Sequence, residues 1–536
     1  MRTRSRPFAA SAVRVAAAVL AACPLAAQQP APDLRNEAVV VGSDAESYLR
    51  VLQVAGAAPL YPWGIRGFSP AEVDRLLPDT ALHPWKERLP PADTAPGQVR
   101  FRWVRPQAGL TFNSAFPQGT NDGALWAGRG ATAAASAGFE VRVGSVLSLR
   151  VEPLAYWSQN RAFPLMENGR PDSLRFLNPY SPASVDLPQR FGDGSFARVD
   201  PGQSTLRLDA RGFAAGVSTA NLQWGPAVDQ PLLLGPNAAG FPHAFAGTSR
   251  PWDVGLGRVH GRILWGSLGQ SEQSTMRGHG SRRFASGIMA VFVPARLEGL
   301  ELGFARFFHE AWPEDGLSAG DLGQPVEALF RRTVEDAVGA ENQLVSVYTR
   351  WALPRGGFEV YGEFVREDHN YDLEDLVLEP DRSSGYMVGG RKAWRRGEAF
   401  HTLRAEWVNA MRSHLNQGSF QGALYRHTVA RQGHTVGGQL LGSPAGFGGG
   451  AVVAFESFTP GGRWRVDWTR TRVADPREIA GELTPVDVIH SLGGEMVSFR
   501  GRVDWVARLR GSLELNRYYE DDAFNLHAFL GMRLGL

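Results

Sequence analysis

The chain has 536 residues, with 56 Lys and Arg against 54 Asp and Glu, 62 glycines and one cysteine. A hydrophobic content of 43% excludes a disordered chain, and a formal charge of +2 leaves no electrostatic footprint for nucleic acid. No run of ~20 apolar residues follows the N-terminus, which excludes a bundle of membrane-spanning helices; a single cysteine excludes a disulfide framework and cysteine-based metal sites.

Residues 1–27 read as a signal peptide. Arg2, Arg4, Arg6 and Arg14 form a basic start, and Val15 to Leu20 lies in an apolar run. Small residues Ala21, Ala22, Ala26 and Ala27 then precede Gln28-Gln29. Leu20-Ala21-Ala22-Cys23 also fits a lipoprotein cleavage box, but Pro24 and the ordinary site Leu25-Ala26-Ala27-Gln28 favour cleavage after Ala27. The mature chain then carries 52 basic and 54 acidic residues. Its expected destination is the cell outer membrane.

Residues 28–98 are rich in Pro and Ala and hold helix-start signals. Ser43 and Glu46 fit a capping box before Tyr48, Leu49 and Leu52 at helical spacing. Ser69-Pro70-Ala71-Glu72 repeats the device with Pro at the first helical position, Val73, Leu76 and Leu77 supply the apolar side, and Pro78 stops it. The pattern predicts a periplasmic helical element of two or three short helices, below the barrel or plugging it.

From residue 99 to 536 the period becomes two. Leu147, Leu149 and Val151 alternate with Ser148, Arg150 and Glu152, and Leu206, Leu208 and Ala210 with Arg207, Asp209 and Arg211. The same holds for Leu403, Ala405 and Trp407, for Trp464, Val466 and Trp468, and for Val503, Trp505, Ala507 and Leu509. One face is apolar and aromatic and the other charged. Long strands continuing without a second domain type predict a transmembrane antiparallel β-barrel with a polar lumen rather than a soluble sandwich. Gly144-Ser145, Arg355-Gly356-Gly357 and Gly461-Gly462 read as short turns, and 159–202 and 311–340 as external loops. Sixteen to twenty strands are expected. The last one places Phe524, Leu526, Ala528, Leu530, Met532, Leu534 and Leu536 on one face, a closing strand fit for the barrel-insertion machinery, although a terminal aromatic is missing.

No GxSxG, HExxH, Walker or CxxC motif occurs, and neither catalytic residues nor metal or cofactor sites are expected. Asp368-His369 has the look of a dyad fragment with no nucleophile marked. Glu359 and Glu363 share a strand face with Tyr361 between them, as lumen-lining residues or, less readily, a glycosidase pair. The central segment is more distinctive. Gln223-Trp224-Gly225-Pro226 leads through Asn237 to Phe241-Pro242-His243 and Trp252-Asp253, too rich in Pro and Gly for a regular strand throughout. It reads as an ordered loop folding into the lumen or capping it. Trp224, Asn237, His243, Trp252 and Asp253 suit sugars, aromatic faces stacking on C–H faces while polar groups bond hydroxyls; packing of a constriction explains them equally.

At these residues the sequence resembles the Wzi family of outer-membrane capsule-assembly proteins. The carrying motifs are Leu125-Trp126-Ala127-Gly128-Arg129-Gly130, Gln223-Trp224-Gly225-Pro226 with Asn237 and Phe241-Pro242, and Glu359-Val360-Tyr361-Gly362-Glu363. Gln432-Gly433-His434-Thr435 with Gly438-Gln439 and Leu441-Gly442 completes them. The resemblance implies an 18-stranded barrel with a small helical element, acting as a lectin that holds capsular polysaccharide or exopolysaccharide at the surface. Partners would be that polysaccharide, outer-membrane lipid and the insertion machinery, without nucleic acid. The competing readings are a porin or channel and, more remotely, an outer-membrane hydrolase using Glu363 and His369.

Overall fold

The computed structural model describes residues 38–77, 83–86, 88, 99–179, 184–327, 341–367, 381, 383–411, 423–427, 429–473 and 486–535. The signal segment, Pro78, Asp368-His369 and Leu536 lie outside these.

Among the described residues, eighteen antiparallel strands close into one barrel. They are β1 (Val99–Asn113), β2 (Gly130–Val143), β3 (Leu147–Val151 with Leu154–Ser158), β4 (Phe196–Asp200 with Thr205–Ala210), β5 (Phe213–Ser218) and β6 (His243–Thr248 with Trp252–Asp253). Then follow β7 (Gly257–Leu268), β8 (Arg283–Pro294), β9 (Leu300–Ala311), β10 (Asn342–Leu353), β11 (Phe358–Glu367) and β12 (Ser384–Arg396). The last are β13 (Ala399–Asn409), β14 (Gly449–Thr459), β15 (Gly462–Arg472), β16 (Val488–Arg500), β17 (Val503–Arg517) and β18 (Asp521–Leu534). Sequence neighbours pair throughout, and β18 returns to β1 with Leu530 opposite Leu110. Closure satisfies every strand's backbone without an edge, which lipid requires.

The alternation sorts the side chains as expected. On β13, Trp407 is 55% exposed on the membrane side while Arg404 and Glu406 are buried in the lumen. On β15, Trp464, Val466 and Trp468 face out and Arg463, Arg465 and Asp467 face in. Connections after even-numbered strands are short turns such as 144–146, 397–398 and 501–502, whereas those after odd-numbered strands are mostly long, up to 410–448. In such barrels the short turns face the periplasm, so the long connections form the outer face.

Three stretches depart from the sequence reading. Phe196–Asp200, inside the expected loop 159–202, is wall strand. The connection after β9 holds α3 (Ala319–Glu327), capped reciprocally by Ser318 and Asp321 despite Gly320, Gly323 and Pro325. Those three residues speak against a helix, and the cap outweighs them. The outward-facing Trp265 donates to Leu322 O at 2.8 Å, so α3 lies against the outer side of the wall. Third, the central loop ends at residue 242; His243 and Phe245 alternate with Ala244 and Ala246 as the start of β6.

The helical element fills the inner half of the lumen. In α1 (Asp44–Val54), Ser43 accepts from Glu46 N at 3.3 Å, while the Glu46 carboxylate turns to Arg66 and Gly42 N, leaving the capping box half-made. In α2 (Pro70–Leu76) the box with Ser69 and Glu72 is complete. Tyr48, Leu49, Leu52, Trp63, Phe68 and Trp85 form a buried cluster that packs on the inward Ala393, Phe400 and Phe458 of the wall.

Candidate functional site

The connection 219–242 folds into the lumen above α1 and α2. Gln223-Trp224 pairs with Ile65-Arg66 as a two-stranded ribbon, joining loop to helical element. Gly225 sits at φ +99°, and a Cβ there would stand 2.8 Å from Glu363 Oε2, so only glycine fits the turn. Leu232, Leu233 and Leu234 are fully buried with inward residues of β7 to β13, a hydrophobic core inside the barrel.

Charged residues of the wall hold both insertions. Glu406 accepts backbone N–H groups of Val228 (2.6 Å), Asp229 (2.8 Å) and Gln230 (3.0 Å), plus the Tyr361 hydroxyl (2.7 Å). Arg50 of α1 meets Glu359 at 3.0 Å and donates to Pro226 O at 2.7 Å. Arg350 meets the same Glu359 at 2.5 Å and also pairs with Glu301, which accepts Trp63 N at 2.9 Å. Buried ions of this kind survive only when paired and hydrogen-bonded, and here the partners come from helix, loop and wall together.

A second inward loop locks the first. His434 Nε2 donates to Leu233 O at 2.6 Å and the Tyr425 hydroxyl to Leu232 O at 2.6 Å. The two rings stack at 5.6 Å with their planes 16° apart. Arg283 donates to Gly433 O and Thr435 O, both at 2.5 Å, and Gly235 N donates to Leu441 O at 2.9 Å. Burial pushes the His434 imidazole down to about 4, so it sits neutral in this lock.

Beside the plug, a polar cleft is lined by Asp44, Asn121, Arg465, Glu495, Arg510 and Arg533, among others. Asp44, at the start of α1, pairs with Arg533 and, at 2.9 Å, with Arg463. Burial opposes its charge, but these arginines win and hold the carboxyl well below the usual range.

The nominated residues are spread over this architecture. Glu359, Tyr361 and Glu363 all point into the lumen, Glu363 accepting from Ser346 Oγ at 2.8 Å. Trp224 is 1% exposed, its ring edge-on to Phe307 at 6.4 Å. Asn237 donates to Leu440 O at 3.0 Å. His243 lines an internal cavity. Trp252 and Asp253 lie at the opposite end of β6 beside the turn 254–256, Trp252 Nε1 donating to Gly212 O at 2.9 Å and Asp253 accepting Gly255 N at 2.8 Å. Trp224 and Asn237 share the inward loop; the other three are not gathered with them. Sequence reasoning passed over Glu406, Tyr425 and His434 as working residues. The motif Gln432-Gly433-His434-Thr435 was the available signal, since a histidine between two glycine-rich turns is unusual in a wall strand. Among the described residues no group of three His, Cys, Asp or Glu could hold a metal ion.

A closed eighteen-stranded barrel of outward aromatics, filled by its own helices and loops, defines an outer-membrane barrel with an occupied lumen. The family model described as capsule assembly protein Wzi matches residues 117–520, and the chain belongs to this family. The structure is similar to Wzi of Escherichia coli, an outer-membrane protein involved in group 1 capsule assembly and a carbohydrate-binding β-barrel. Identity is 14%, coverage 93% of this chain and 99% of that one, and the TM-score 0.61. OccK2 (OpdF) of Pseudomonas aeruginosa shares 12% identity over 82% of this chain and 98% of that one, with a TM-score of 0.39. A BenF-like porin of Pseudomonas fluorescens Pf-5 shares 8% over 82% and 99%, also at 0.39. No curated protein sequence matches the chain.

Proposed function

We propose that the chain binds and anchors surface polysaccharide, capsular or exopolysaccharide, at the outer face of the membrane, in a lectin-like and non-catalytic role. The observation that carries this reading is the filled lumen in a member of a capsule-assembly family. With α1, α2 and two loops packed inside, the surface left to act is the crown of long connections. Weak contacts repeated along a polymer gain from avidity, so no deep pocket is required. Trp312 under the Arg282 guanidinium at 3.8 Å adds an aromatic face on the 312–341 connection, and Asn237, only partly covered, would offer its amide from the inward loop. Outward tryptophans would meet outer-membrane lipid, the closing strand the insertion machinery, and export would proceed with signal-peptide cleavage after Ala27.

The test is deletion in the native host. Polymer released into the medium with synthesis unchanged supports the reading, and cell-bound polymer at its normal level overturns it. Steady single-channel conductance of the intact barrel would favour a porin instead. Glu363, bonded to Ser346 within a buried core, is poorly placed for hydrolysis; a hydrolytic activity lost in Glu363→Gln would revive the enzyme reading.

A further inference from the structure

Between the helical element and the wall of β2 to β7 lies a separate cavity inside the barrel, lined by Arg66, Phe68, Arg207, His243, Phe245 and Arg262 among others. Two buried side chains line it, each with one polar atom that has no hydrogen-bond partner. Arg262, 5% exposed, has its guanidinium over the Phe245 ring at 4.9 Å, and its Nη2 has no hydrogen-bond partner. Among the described residues no carboxylate lies within 4.0 Å of it. The acids in its neighbourhood are already engaged, Glu72 with Arg207 at 2.8 Å and Asp209 with Arg207 at 2.9 Å. His243, also 5% exposed, donates from Nδ1 to Phe241 O at 2.8 Å. Its Nε2 is left without a partner and, in the neutral ring, is an acceptor.

A buried guanidinium donor left without an acceptor is costly, and the planar fork matches a carboxylate. An imidazole acceptor beside it suits a hydroxyl. Glu72 and Asp209 nearby would repel a second negative charge, which favours a carboxylate over a phosphate dianion. We propose that this cavity is a binding site for a small hydroxylated carboxylate, with Arg262 holding the carboxylate and His243 Nε2 accepting from a hydroxyl. The chemistry is that of a sugar acid, as a free molecule or as one residue of a short oligosaccharide. The site is internal, apart from the outer loops, so it stands or falls independently of polymer anchoring.

The test uses the full chain in detergent, titrated calorimetrically with glucuronate, glucose, acetate and inorganic phosphate. Saturable binding of glucuronate is expected, with the other three at least tenfold weaker. A glucuronate-ended disaccharide that binds as well as the monomer identifies an oligosaccharide as the source; binding of the monomer alone identifies the free acid. Arg262→Met should lose at least tenfold in glucuronate affinity and the glucuronate-induced rise in Tm, while the unliganded Tm holds or rises because a buried donor left without an acceptor is gone. His243→Phe should narrow the preference of glucuronate over acetate. Absence of saturable binding, equal affinity for glucose, or an Arg262→Met protein that melts lower yet keeps the full ligand shift would each overturn the proposal.

Discussion

Glu406 offers the most direct way to unseat the inward loop. Its carboxylate accepts three consecutive backbone N–H groups, from Val228 to Gln230, and the Tyr361 hydroxyl. Glu406→Ala leaves four donors without an acceptor, at about 1–3 kcal/mol for each buried one. Val228 and Asp229 line the polar cleft, so water reaches part of the set and the lower end applies. The total is about 4 kcal/mol, roughly a thousandfold in the ratio of seated to unseated loop. Asp229 keeps its pairs with Arg404 and Arg465, and the wall ladder is untouched, so the barrel itself should persist. Amide hydrogen exchange at residues 228–230 should accelerate by two to three orders of magnitude, with brief conductance events in planar bilayers. Glu406→Gln retains one acceptor oxygen and should show about half the free-energy effect. Exchange within tenfold of the wild type, in a silent barrel, would refute the assignment of Glu406 as the clamp.

Other outcomes follow from the same contacts. His434 titrates near 4 when seated against 6.5 when free, so the unseated loop binds the proton more tightly. Stability of the lock is full above pH 6.5 and declines by up to about 3 kcal/mol as pH falls toward 4; faster exchange at 232–235 over that window, absent in His434→Gln, checks it, and a flat profile contradicts it. Glu359→Gln leaves Arg50 and Arg350 buried around a neutral amide and should cost about 3–5 kcal/mol in denaturant unfolding, while replacing Arg50 and Glu359 together by leucine should recover part of it. Trp224→Ala empties the junction of ribbon and core, an expected loss of about 3–5 kcal/mol by thermal melting. Gly433→Ala places a methyl against the Tyr425 carbonyl at φ +61° and should disorder the second loop, seen as loss of Tyr425 fluorescence anisotropy in a protein that still runs as a folded barrel.

Much of the architecture is written locally. Ser43 and Ser69 announce α1 and α2 because capping is a contact over three residues, and Trp464, Val466 and Trp468 announce a membrane face because the strand period is two. Some short wall strands escape this logic: β5 has six residues, several of them small, and Pro242 and the preceding glycines mask the alternation of His243 and Phe245 in the six-residue first segment of β6. The working contacts of the lumen are harder still. His434 meets Leu233 across 201 positions and Arg50 meets Glu359 across 309, separations at which one sequence carries no pairing information. A charged inner face was legible as such; which charge serves the plug, which serves the loop and which, like Arg262, serves neither was not.

The ion pair between Asp44 and Arg533 spans 489 positions, linking the first helix to the strand that seals the ring. Arg533 sits on the final stave opposite a carboxylate that is present only if the interior is furnished, so the seam of the ring and its filling are coupled. A chain that lost its inner element would close on a cation whose carboxylate partner is gone.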